Sequence, residues 1–72
     1  MIDGYEKLAN AIVLQAVKDY RFALRRLEKY PRNNSAIYTK REIERFFRSE
    51  WYTSLTSVEP EMLIKKLEEE VM

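Results

Sequence analysis

Two groups of cations and one group of aromatics have the residue types and spacing for molecular recognition. Lys7, Lys18, Arg21, Arg25 and Lys29 follow one another at steps of 11, 3, 4 and 4 residues. On a helix these positions lie within about 80° of one another. Ala11 and Leu14 fall in the same sector, and Phe22 and Arg26 border it. One reading is a solvated face. The other is a strip that binds phosphates or an acidic protein surface, and Leu14 and Phe22 tilt toward contact because a solvated face has little need of them. The second group is Lys40, Arg41, Arg45 and Arg48, with the three arginines at i, i+4 and i+7. Such a stripe repels itself and requires something to offset it, either an acidic segment of this chain or a phosphate backbone. The third group is Phe46, Phe47, Trp51 and Tyr52. In a small domain an aromatic cluster belongs first to the core. Trp51 and Tyr52 point in different directions, however, so at least one is expected to be partly exposed beside arginines, in the manner of an interface hot spot; stacking on a nucleobase is a weaker alternative. The candidate partner-binding residues are therefore Lys18, Arg21, Phe22, Arg25, Lys29, Arg41, Arg45, Arg48, Trp51 and Tyr52.

Catalytic chemistry has little to draw on. The chain has no histidine and no cysteine, which removes the usual zinc ligands and the usual general base near neutral pH. Glu42, Glu44 and Glu50 have neither metal-ligand spacing nor a nucleophile beside them. The serines between residues 49 and 57 are accompanied by no base and no glycine-rich turn, and a single glycine precludes a phosphate-binding loop. The expectation is a protein that is not an enzyme and carries no cofactor or metal.

The elements that hold these residues must come from 72 residues, one domain at most. A chain so short buries a modest share of its surface. Without disulfides or a metal it must rely on helix packing or oligomerisation. Its net charge of +1 is unevenly spread. Residues 1–48 hold 11 Lys/Arg against 6 Asp/Glu, and residues 49–72 hold 2 against 6. The halves either attract each other within the fold or leave a basic surface for an acidic partner. No apolar run reaches the roughly 18–20 residues that span a bilayer, so no membrane partner is expected. The N-terminal residues lack a basic region followed by an apolar core, so no signal peptide is expected and a cytoplasmic location is.

Gly4, Pro31 and Pro60 punctuate the chain into three predicted helices, at about 4–29, 35–54 and 59–71. Asp3 and Glu6 form a capping-box pattern for the first. Its apolar stripe comprises Tyr5, Leu8, Ile12, Ala16, Tyr20, Ala23 and Leu27, widened by Ala9, Val13, Val17 and Leu24 to about half the circumference, enough to meet more than one other helix. Pro31 ends it. Asn33 or Asn34 caps the second helix, whose stripe is Ala36, Ile43 and Phe47. Its main run ends at about Arg48, and fraying or a break is expected near residues 49–57, where Ser and Thr favour local side-chain bonds. Pro60 suits the first turn of the third helix, which buries Leu63, Ile64, Leu67 and Val71 and ends on Glu68, Glu69 and Glu70, against its dipole. No segment alternates as a strand does. The expected fold is all-α: a compact three-helix arrangement in which one long N-terminal helix is packed by two shorter ones.

Two runs, AIVLQAVKDYRFAL (Ala11–Leu24) and EIERFFRSEWYTSLT (Glu42–Thr56), resemble small helical proteins encoded in prophages and other mobile elements of Firmicutes. The likeness covers the first two helices and the start of the third. Many members have an Asp-Gly turn where this chain has Val58-Glu59-Pro60. The resemblance implies a bacterial or phage origin and an intracellular setting, but no activity comes with it. It makes a host-interaction role the leading expectation: a non-catalytic accessory protein that binds a host or phage protein stoichiometrically, one version being an anti-CRISPR-like inhibitor of a host defence nuclease. Two alternatives stand beside it. A small DNA-binding regulator would use the basic faces of the first two helices, because the acidic third helix is a poor recognition helix. A structural homo-oligomer, as small as a homodimer, would complete a core that two short helices cannot cover.

Overall fold

The computed structural model describes residues 2–71 of the chain, with side chains from residue 6 onward. The chain forms four helices: α1 (Ile2–Lys29), α2 (Asn34–Phe47), α3 (Glu50–Leu55) and α4 (Pro60–Val71). The expected all-α architecture holds, with one long helix packed against the shorter ones. At 28 residues, α1 is about 42 Å long at 1.5 Å per residue. It sets the longest dimension of the molecule, 44 Å.

Helix α1 begins at Ile2, so Asp3 lies within the helix instead of ahead of it. Pro31 ends it as expected, with the Tyr30 amide still bonded to the Arg26 carbonyl at 2.8 Å. Asn33 then caps α2, its side-chain oxygen accepting from the Ala36 amide at 2.9 Å. The break expected near residues 49–57 falls at Ser49 and adds a fourth, six-residue helix to the three expected: the ladder stops at Arg48 and Ser49 is extended (φ −87°, ψ 161°). The Ser49 hydroxyl does both jobs at this break. It donates to the Phe46 carbonyl at 2.6 Å and accepts from the Tyr52 amide at 3.2 Å, closing α2 and opening α3. Glu59 supplies the cap of α4, its carboxylate accepting from Glu61 and Met62 amides at 3.2 and 2.9 Å. Pro60 occupies the first helical position, where its missing N–H is no loss.

The pairing of residues fixes the directions. Ala36 shares a concavity with Ala23, and Phe47 packs on Tyr20 with ring centroids 5.6 Å apart, so α2 runs back along α1. Glu61 reaches Arg48 and Glu70 reaches Arg21, so α4 runs antiparallel to α2 and alongside α1. The core lies between them: Val17, Tyr20, Leu24, Phe47, Tyr52, Ile64 and Leu67, with Val13, Ala16, Ile43, Phe46, Leu63 and Val71 packed around it. Leu8, expected in the buried stripe, is 60 % exposed. α1 is twice the length of α2, and the neighbouring Ala9 is buried, so this end of α1 is covered on one side and Leu8 faces out. Tyr5 lies outside the described side chains.

Candidate functional site

The side of the α1–α2 pair away from α4 is left open. Helices pack by fitting ridges into grooves, and α1 and α2 leave between them a groove that no third helix fills. The result is an open trough of about 480 Å³. Ala11, Ile12 and Ala16 of α1 form one wall, Ile43 and Phe46 of α2 the other, and Trp51 of α3 closes one end. Trp51 stands edge-on to Phe46, centroids 5.4 Å apart, yet is 58 % exposed. An aromatic held by its neighbour and still in contact with water has little side-chain freedom left to lose on binding. Two carboxylates are the charged groups of the lining: Asp19 on the α1 wall and Glu42 on the α2 wall. Asp19 accepts from Gln15 at 3.0 Å, and Glu42 lies 3.6 Å from Arg45, whose side chain is 80 % exposed.

The break at Ser49 explains why the two adjacent aromatics part company. It folds α3 beneath the end of α2, which sends Tyr52 into the core between Phe46 and Phe47 and leaves Trp51 outside. Tyr52 has no exposed surface and donates its hydroxyl to the Val58 carbonyl at 3.0 Å. It is therefore a core residue, correcting its expected place at a binding surface. Burial and the nearby Glu59 push its phenol above the usual range.

The cations divide into two sets. Arg21 and Arg48 are engaged by α4 through two-pronged bonds: Arg21 Nε and Nη2 to Glu70 at 2.8 and 3.1 Å, and Arg48 Nε and Nη2 to Glu61 at 2.7 and 3.1 Å. These bonds raise both guanidinium pKa values and hold both carboxylates below their ordinary range. Arg45 meets Glu42 of its own helix at 3.6 Å, and the remaining candidates, Lys18, Arg25, Lys29 and Arg41, are exposed and have no carboxylate within 4 Å among the described residues. Phe22 is 64 % exposed, with the Arg26 guanidinium carbon 5.8 Å from its ring centroid. The structure thus brings Trp51 alone of the ten candidates to the trough. Ile12, Ala16, Ile43 and Phe46, read from the sequence as core, form its walls. The sequence did carry a signal for them, because an α1 stripe covering half the circumference is wider than its partners can cover.

These features define the chain as an all-α protein with an unpartnered apolar groove between α1 and α2. The chain matches no protein-family model, no curated protein and no solved structure. Among the described residues, no helix is long and apolar enough to cross a membrane.

Proposed function

We propose that this protein acts without catalysis, by stoichiometric binding of another protein through the α1–α2 trough. The observation that carries the reading is Trp51, exposed at the end of an apolar groove and fixed there by Phe46. Tryptophan is among the residue types enriched at the hot spots that dominate binding interfaces. The reading takes a host or phage protein as the partner, in the cytoplasm, an inhibited defence nuclease being one form of this role. Immobilised wild-type protein is expected to retain a partner from bacterial extract, and Trp51→Ala to lose it while keeping its helical circular dichroism. Equal retention by the two proteins would remove the trough from the reading.

A second reading, a small DNA-binding protein, is favoured by Lys18, Arg25, Lys29 and Arg41, which the ion pairs of the fold do not use. Titration of labelled duplex DNA at roughly 50 and 200 mM salt tests it, since several phosphate contacts make affinity fall by orders of magnitude over that interval. Tight, salt-steep binding would put DNA ahead of a protein partner; absence of binding at the lower salt would eliminate it.

A further inference from the structure

We propose that the occupant of the trough is one amphipathic helix of the partner, with an apolar stripe flanked by lysine or arginine. This rests on the protein-binding reading above and specifies the chemistry of the partner.

Shape comes first. Small-molecule sites enclose most of their ligand, whereas this trough lies open between two nearly antiparallel helices and would leave a small ligand half in water. A helix laid between α1 and α2 instead presents one face to the walls and another to solvent, the helix-in-groove mode of recognition. The wall from Ala11 to Asp19 spans about 12 Å, a little over two turns, enough for apolar anchors at i, i+3 or i+4, and i+7.

Charge decides between kinds of helix. Asp19 and Glu42 stand on opposite walls. Asp19 is bonded to a neutral amide, and Glu42 to an arginine held loosely at 3.6 Å, so both retain capacity for a cation. A helix with lysines on both flanks would meet one carboxylate on each side, and a helix with acidic flanks would be repelled by both. The protein's own acidic helix α4, with Glu61, Glu68, Glu69 and Glu70, is the wrong kind for a second copy to offer.

Trp51 is the only tryptophan, so its emission reports on the trough. The probes are two synthetic helical peptides of about 18 residues, long enough to hold helix in water. Both carry leucines at i, i+3 or i+4, and i+7, one with lysine flanks and one with glutamate flanks. The lysine peptide is expected to shift Trp51 emission to the blue and to bind about tenfold more tightly than the glutamate peptide. The D19K/E42K double variant is expected to reverse that preference. Equal binding of the two peptides overturns the basic partner but leaves a protein-binding trough standing. If neither peptide changes the emission, both readings fall. A blue shift that grows with protein concentration alone, with doubled mass in sedimentation, places a second copy in the trough and overturns the proposal.

Discussion

Tyr20, Glu44 and Lys40 show how a polar group is held at the edge of a core this small. Tyr20 has no exposed surface, yet its hydroxyl donates to Glu44 Oε2 at 2.6 Å, and Lys40 Nζ donates to the same oxygen at 2.7 Å. Burial by itself would raise the Glu44 pKa. The bonds from Lys40 and Tyr20 outweigh it and hold the carboxyl below its ordinary value, while burial and the same carboxylate push the Tyr20 phenol far up. A hydrogen bond to a charged group contributes about 1.5–3 kcal/mol and a neutral one about 1 kcal/mol. Tyr20→Phe is therefore expected to lower the urea midpoint more than Tyr52→Phe, which loses only a bond to a backbone carbonyl. The pH dependence follows from the directions of the shifts. A carboxyl depressed in the fold contributes its stability above its unfolded pKa of about 4.3, and loses it as pH falls through the folded value. Urea midpoints of the wild type should decline below about pH 4.5, and Glu44→Gln should make that decline shallower without abolishing it, because Glu61 and Glu70 are depressed as well. The tyrosines act in the opposite sense. Their raised pKa values withdraw stability above about pH 10.

Among the helices, the joint between α2 and α3 is the most consequential. One hydroxyl, that of Ser49, satisfies the carbonyl that ends α2 and the amide that begins α3. Ser49→Ala removes both bonds and is expected to destabilise by about 1–2 kcal/mol, a typical capping loss, measurable as a lowered urea midpoint at unchanged m. Because the same joint aims Trp51 outward and Tyr52 inward, the variant should also shift the emission of the single tryptophan. Helix α4 carries Glu68, Glu69 and Glu70 where its dipole is least favourable to them. Arg21 at 2.8 Å from Glu70 and Lys40 at 3.9 Å from Glu68 supply the compensating charge from the neighbouring helices.

For the whole molecule, the uneven charge of the chain becomes an arrangement in space, with the acidic C-terminal helix against parts of the basic first two. Arg48→Glu is expected to lower the melting temperature, and Arg48→Glu combined with Glu61→Arg to recover much of it. Both effects should shrink as salt rises, since the pair is exposed. How far this was legible beforehand varies by feature. The helical class, the stop at Pro31, a cap at Asn33 or Asn34 and the first-turn place of Pro60 are local matters of periodicity and of φ, and the sequence alone determined them. The buried stripe of α4 was equally plain, because it has one narrow face. Helix packing decided the rest. Whether Ser49 frays a helix or ends one depends on the gain from turning Tyr52 under Phe46 and Phe47, which no local rule contains. Which arginines are paired depends on α4 lying beside them. Which half of the wide α1 stripe stays open depends on α2 being half its length and on α4 packing away from the trough. Local sequence set each helix and the residues on its faces; the choice of which faces meet, and so of which apolar surface remains for a partner, is a property of contacts between residues far apart in the chain.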